Sequence, residues 1–435
     1  MNPQLIKTGQ IYFISSFLGL IIIGTLLLKM PFVTHSSGPL TWLDAWFTAT
    51  SAVCVTGLTC VTTSGFNIPG QVIILFLIQL GGLGIMTLTI SIIMLLSGRV
   101  SMSSQVMMSN VSDNFPIKGI NQLIRTVVCY TFVIEAIGML MLFCGFVFGK
   151  QKMAVGKAIY NAWFHSISAF CNAGFSTWDS SLVGFGPLVK ITVALLIILG
   201  GLGVYVIYDF IHTRRTEKML QIHTRLVLWT SAILIIGGTV LIFCLEQFQG
   251  GSITWLDAFF QSVTCRTAGF NTVEISVLHT SSLIIMIVLM LIGASPGSTG
   301  GGMKTTTAAL IFISVYNTIK GNRSVLLMKR QIAESNILKA FTTMFIFLAL
   351  LLVASTLIAF ADGLRMQETI FEAASALGTV GLTVGVSMKA GASAKMVLIA
   401  LMFLGRVGPF TFFLFLLSKE RKTKLIYPEE RIILG

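Results

Sequence analysis

Long apolar segments recur along the chain at about 11–28, 126–148, 226–245 and 340–361. Each is followed by a short stretch rich in Ser, Thr and Ala and then by a second long apolar segment with glycine at its middle. A helix needs roughly 17 to 25 apolar residues to cross hydrocarbon, so each long segment predicts a transmembrane helix. The short stretches are too polar and too brief to cross, yet both neighbours cross; they must re-enter from the side they left. The pattern predicts an all-α polytopic membrane protein: four pseudo-repeats of transmembrane helix, re-entrant pore helix and loop, and transmembrane helix around one central pore, eight transmembrane helices in all. The units are bounded at 1–98, 99–212, 213–320 and 321–418, with a cytoplasmic C-terminal tail at 419–435.

The repeat is legible residue by residue. Thr41-Trp42-Leu43-Asp44-Ala45 returns unchanged as Thr254-Trp255-Leu256-Asp257-Ala258. Read forward from Asp44, Asn161, Asp257 and Glu368, each copy runs through a Ser/Thr/Ala-rich helix to a glycine followed by Leu or Phe. Those glycines, Gly57, Gly174, Gly269 and Gly381, lie thirteen residues on in three copies and twelve in the third. A second mark begins 24, 26, 24 and 24 residues later, at Gly81, Gly200, Gly293 and Gly405, mid-way along the second apolar helix. There the small residue is read as close packing of the inner helix against the loop.

Composition narrows the class. Of 435 residues, 55% are hydrophobic and 10% charged, against about 25% charged in soluble domains. The first run, Ile11 to Leu28, is too long for a signal-peptide core and has no cleavage pattern behind it, so it predicts a retained helix and a mature start near Met1. Seven cysteines without metal-ligand spacing predict free packing thiols. The net charge of +13 does not indicate nucleic acid, because the basic residues gather on one side, among them Arg99, Arg214, Arg215, Lys218, Arg323, Lys329, Arg330, Lys419 and Arg421. That asymmetry puts both termini in the cytoplasm. Orientation and contact with lipid headgroups account for most of these charges. A cytosolic partner protein is the sharper reading for the segments 210–225 and 316–339 and for the tail.

Non-helical backbone at membrane depth is tolerated only inside protein or beside water. Four re-entrant loops about a pseudo-fourfold axis therefore place a ring of carbonyls at the centre. The candidate ion-binding positions are Val55, Thr56 and Gly57; Asn172, Ala173 and Gly174; Thr267, Ala268 and Gly269; and Thr379, Val380 and Gly381, with K+ held at the four glycines. Glycine can take positive φ and turn its carbonyl inward, and four such carbonyls can replace the water around an alkali cation. Each pore helix is expected to begin outside, at Asp44, Asn161, Asp257 or Glu368. Its C-terminal partial charge then favours a cation in the cavity below. Gly378-Thr379-Val380-Gly381 holds the Thr-Val-Gly part of the potassium-channel filter, although none of the four loops carries all of Thr-Val-Gly-Tyr-Gly.

Three further stretches are specific: Ser168 to Ser176; Thr264-Cys265-Arg266-Thr267-Ala268-Gly269-Phe270-Asn271; and Gly405-Arg406-Val407-Gly408-Pro409-Phe410-Thr411. With them the sequence resembles the Trk, Ktr and HKT superfamily of potassium transporters over nearly its whole length. Within that superfamily it is similar to the Ktr-type membrane subunit, for it lacks the extra N-terminal helix pair of Trk-type subunits and ends in the short Tyr427-Pro428-Glu429-Glu430 tail. The resemblance implies potassium uptake across a bacterial cell membrane, without a covalently bound cofactor and with Na+ as a coupling or activating ion. It also implies a homodimer of two pores docked on a cytosolic ring of nucleotide-binding regulatory subunits. A serine in the first filter position goes with sodium transport in that family, and Gly57 stands there, so K+ is the implied ion.

The third inner helix contains Gly293, Ala294, Ser295, Pro296, Gly297, Ser298, Thr299, Gly300, Gly301, Gly302, Met303 and Lys304. Proline and glycine oppose helix here, which predicts a break and an intramembrane gating loop, a role the family resemblance also implies. Arg406, at matching depth in the fourth inner helix, needs carbonyls or an acid. It is read as a bond to the 294–303 loop, with structural pairing as the alternative. Lys304 is a gate partner or a loop anchor. Arg266 is expected to point behind its loop and brace it on an acid such as Glu372, Glu135 to pair helices, and His165 to support its loop by hydrogen bonding. A less selective or sodium-conducting relative and an alternating-access cation symporter stay open, although symporter folds show inverted or twofold repeats. No His-Glu-x-x-His, Gly-x-Ser-x-Gly or P-loop pattern occurs, so an enzyme is not expected.

Overall fold

The computed structural model describes residues 3–34, 40–84, 120–216, 219–322 and 324–417. The lower part of the first inner helix up to 98, Arg99, Lys218, Arg323 and the 419–435 tail lie outside the described residues. Four long helices, Pro3–Leu28, Ile120–Phe148, Ile222–Phe248 and Glu334–Asp362, are apolar around most of their circumference and form the outer layer. Ile22, Phe132, Ile233 and Phe360 are exposed on them, as suits a face that meets lipid.

Each outer helix packs on the short helix that follows it: Trp42–Val53, Val155–Phe170, Trp255–Thr264 and Met366–Leu377. The inner helices join these pairs into a circle. Ile68–Leu83 packs on the second short helix, Pro187–Gly201 on the third, Thr280–Leu291 on the fourth, and Ala392–Val407 returns to the first. Phe47, Phe164, Phe260 and Phe371 take the same place in the repeat and are all fully buried. Truncating one to Ala would leave a cavity costing about 3–5 kcal/mol.

The inner helices differ from expectation. The sequence predicts one broken inner helix, the third, yet the helix ends at the glycine mark in all four. Ile68–Leu83 ends at Gly84 (φ 75°). Pro187–Gly201 turns through 88° at Gly203 (φ 87°) into Val204–Thr216. Ala392–Val407 gives way at Gly408 (φ 90°) to Pro409–Leu417, and residues 292–304 part Thr280–Leu291 from Thr305–Ile319. Glycine leaves the helix for positive φ without a Cβ penalty, so a mark read as a packing device is also a terminator. Consequently, among the described residues, three helices are individually long and apolar enough to cross a membrane, and the bent pair supplies a fourth candidate. Between the third and fourth units Leu326–Leu327 pairs antiparallel with Arg330–Gln331 in a small hairpin.

Candidate ion-conducting site

The identical pentapeptides fold identically. Thr41 Oγ1 accepts from the Asp44 amide (3.1 Å) and donates to Asp44 Oδ2 (2.6 Å); Thr254 and Asp257 repeat this at 3.2 and 2.7 Å. Asp44, Asp257 and Glu368 all lie in the first turn of their helices, where acids suit the exposed amides. Asn161 does not. The second short helix begins at Val155, so Asn161 is well inside it, because no Pro or capping side chain interrupts Val155 to Tyr160 and Gly156 sits in the first turn.

All twelve predicted ion-binding residues lie in the four loops that leave these helices. Every loop has the same backbone signature: positive φ two residues before the glycine, at Val55 (56°), Asn172 (60°), Thr267 (78°) and Thr379 (50°), and again at Gly57 (94°), Gly174 (69°), Gly269 (76°) and Gly381 (94°). Positive φ is rare for residues other than glycine and an outlier for β-branched ones, so Val55, Thr267 and Thr379 hold strain of about 1–3 kcal/mol each. Left-handed residues that alternate with right-handed or extended ones turn successive carbonyls toward one side of the chain.

The loops meet one another in order. A Cβ on Gly57 would lie 2.5 Å from the Ala173 carbonyl, one on Gly174 2.7 Å from that of Ala268, and one on Gly269 2.5 Å from that of Val380. A Cβ on Gly381 would strike the Thr56 carbonyl, which closes the circle. A hydroxyl seven residues after Asp44, Asn161, Asp257 and Glu368 braces every loop. Ser51 and Ser375 each accept from the amide of their own glycine (3.0 Å); Ser168 and Thr264 donate to the carbonyls of Phe175 (2.8 Å) and Phe270 (2.6 Å). These four hydroxyls were in register in the sequence and escaped notice as part of a Ser/Thr/Ala-rich background.

Of the predicted gating residues, 293–304 form one stretch against the circle, buried at Gly293 to Ser295 and Thr299 to Met303 and exposed at Gly297. Gly293 N donates to Met303 O (2.8 Å) and pinches the segment into a loop. Gly301 N donates to Thr379 Oγ1 (3.1 Å), and Thr299 Oγ1 donates to the carbonyls of Phe170 and Gly200 (both 3.2 Å). Lys304 Nζ donates to Gly300 O (2.7 Å). The Arg406 guanidinium donates to the carbonyls of Thr299, Gly81 and Gly82 and so reaches the loop and the first inner helix together. Backbone oxygens, rather than an acid, satisfy it.

Arg266 corrects one expectation. It is buried, and its guanidinium donates to Ser231 Oγ (3.2 Å) on the third outer helix. Glu372 is occupied within its own unit by Thr383 and by the Ser387 amide. Arg266 turns to the outer helix of its own unit, and Glu372 is held behind the fourth loop. Glu135 accepts from Gln79 Nε2 (3.0 Å) and, through its carbonyl, from Ser166 (2.6 Å), which ties the second outer helix to its neighbours.

Two lysines were missed. Lys190 Nζ lies 2.5 Å from Asp257 Oδ1, and Lys395 Nζ 2.7 Å from Asp44 Oδ1. Burial works to raise both carboxyls, but hydrogen bonds from Lys395 and Thr41 on Asp44, and from Lys190 and Thr254 on Asp257, outweigh it and hold them below the usual aspartate value. The signal was available: each lysine is the fourth residue of its inner helix.

A circle of backbone carbonyls set in a helical bundle is the architecture of a cation-transporting membrane protein, and comparison with known proteins agrees. The model of the TrkH cation transport protein family matches residues 2–424. The chain is 37% identical to the Ktr system potassium uptake protein B of Vibrio alginolyticus, over 97% of this chain and 93% of that one. It is 35% identical to the potassium/sodium uptake protein NtpJ of Enterococcus hirae, over 99% and 97%. The crystal structure of the potassium transporter TrkH from Vibrio parahaemolyticus shares the fold, with a TM-score of 0.70 at 18% identity over 93% of this chain and 85% of that one. The chain belongs to the TrkH family of cation transporters.

Proposed function

We propose that the chain takes up potassium across the cell membrane as the ion-translocating subunit of a Ktr-type system. The observation that carries this reading is the closed circle of Gly57, Gly174, Gly269 and Gly381, each with positive φ and each against the carbonyl that precedes the next glycine. Carbonyls so arranged can replace the hydration shell of one dehydrated cation. Full-length relatives whose names state potassium uptake, at 37% and 33% identity, support the choice of ion.

The same reading gives the chain four units and eight membrane crossings, with the termini on the side of the basic loops. The 293–304 loop and Arg406 obstruct the path below the circle and move aside to open it. By family resemblance, uptake is sodium-dependent, two copies associate, and a cytosolic ring of nucleotide-binding subunits controls them; the word "system" in the relatives' names supports more than one component. The name of the Enterococcus hirae relative, which includes sodium, favours a second reading in which the circle passes both ions.

Potassium uptake in cells lacking their own transporters tests the proposal. Wild-type protein should restore uptake at low external potassium, and Gly174→Ser should weaken potassium affinity and preference over sodium. Equal affinity and preference in the two proteins would overturn the assignment.

A further inference from the structure

Four and fifteen residues into each copy of the repeat, the chain sets polar side chains in register. The first set is Thr48, His165, Gln261 and Glu372 on the short helices; the second is Thr59, Ser176, Thr272 and Thr383 beyond the glycines. In the second and fourth copies the two sets meet.

His165 is fully buried, stacks on Trp178 with ring centroids 4.2 Å apart, and is flanked by Phe146, Phe164 and Phe270. Its Nδ1 faces the Asn161 carbonyl at 2.8 Å and must carry the proton, since a carbonyl only accepts. In the neutral ring Nε2 is then an acceptor, 3.1 Å from Ser176 Oγ. Ser176 Oγ in turn accepts from the amide of Trp178 (3.2 Å). In the fourth copy Thr383 Oγ1 lies 2.8 and 3.0 Å from the two oxygens of Glu372 and accepts from the amide of Gly385 (2.8 Å). An imidazole and a carboxylate thus make the same link. A helix side chain accepts from a hydroxyl two residues past the glycine, and that hydroxyl accepts from the amide two residues further on.

The other two copies lack the link. Thr48 turns back to the Asp44 carbonyl of its own helix (2.8 Å), and neither amide atom of Gln261 has a partner. In those copies the lysine pairs on Asp44 and Asp257 fasten the helix start instead.

We infer that His165 and Glu372 are positioning residues for ion selection: each clamps the outer limb of its own loop, through Ser176 or Thr383, and so fixes the spacing of the carbonyl circle. The inference rests on the reading that the glycine loops bind the ion. It follows from the positive φ at Asn172 and Thr379, a backbone that persists only where its surroundings over-determine it. The inner limb is tied by the C-cap amide bonds of Cys171 and Gly378, and the clamp ties the outer.

The test uses the full chain in liposomes, with rubidium influx measured against sodium competition. Ser176→Ala and Thr383→Val each remove the hydroxyl that links helix to loop, together with its bond from the amide two residues on, and each should cut the preference for rubidium over sodium roughly three- to tenfold, with a smaller change in maximal rubidium influx. The two losses should multiply in the double variant. Glu372→Gln keeps an acceptor oxygen and should stay within about twofold of wild type, whereas His165→Gln installs the residue that makes no such link in the third copy and should cut the preference as Ser176→Ala does. The conservative Glu372→Gln keeps the test independent of any one variant's survival in purification. If Gly174→Ser shifts the preference and the Ser176→Ala, Thr383→Val double variant does not, the clamp is overturned and the glycine reading stands. If Gly174→Ser leaves the preference unchanged, both fall.

Discussion

Lys395 Nζ lies 2.7 Å from Asp44 Oδ1 and joins the fourth inner helix to the first short helix. The contact closes the circle of helices, and its side chains are 17% and 16% exposed, so water screens it only in part. Removing one partner leaves the other charged and half-sheltered. Lys395→Met and Asp44→Asn should each lower the thermal midpoint of the purified protein. A double-mutant cycle should return a coupling of about 1–3 kcal/mol; additive effects would show the pair to be incidental.

The same pairs set an acid limit. A carboxyl held below its usual value in the folded protein contributes stability that is present above the unfolded pKa and lost as pH falls through the folded one. Asp44 and Asp257 are both of this kind, so thermal stability should drop as pH falls below about 4. An Asp44→Asn, Asp257→Asn variant should begin less stable at neutral pH and show a shallower drop, read from melting curves across the acid range.

Glycine identity should matter by position. Gly381 combines φ 94° with a Cβ path into the Thr56 carbonyl, whereas a Cβ on Gly19 would meet nothing within 4 Å. Gly381→Ala should abolish rubidium uptake in cells, and Gly19→Ala should leave it unchanged. Uptake by Gly381→Ala at wild-type rate would show that the loop does not need glycine.

Arg406 holds the 293–304 loop through the Thr299 carbonyl and the first inner helix through Gly81. Arg406→Gln should loosen both attachments and raise rubidium influx into liposomes, as should deletion of residues 296–301. Unchanged influx in both proteins would remove the loop from gating.

Much of this arrangement was legible because it repeats. A twelve- or thirteen-residue interval to glycine, met four times, located the loops without a structure, and Gly293 to Lys304 announced its break through composition. What escaped were relations between copies. The bonds Lys190 to Asp257 and Lys395 to Asp44 cross from one unit to the next, and no periodicity within a unit contains them. The partner of Arg266 was misplaced for the opposite reason: Ser231 lies on the outer helix of the same unit, whereas Glu372 belongs to the next. The breaks at Gly84, Gly203 and Gly408 were missed because apolar runs continue through them, and hydropathy does not record the sign of φ.

Those breaks have a mechanical consequence. A continuous inner helix would act as a stiff rod, so that any tilt at its far end would lever the glycine loops directly. Interrupted at the level of the loops, it would transmit less torque to them. On the proposed gating role, a shift of the strap from Gly293 to Lys304, tethered at Arg406, would then alter passage while the dimensions that discriminate between ions stay fixed.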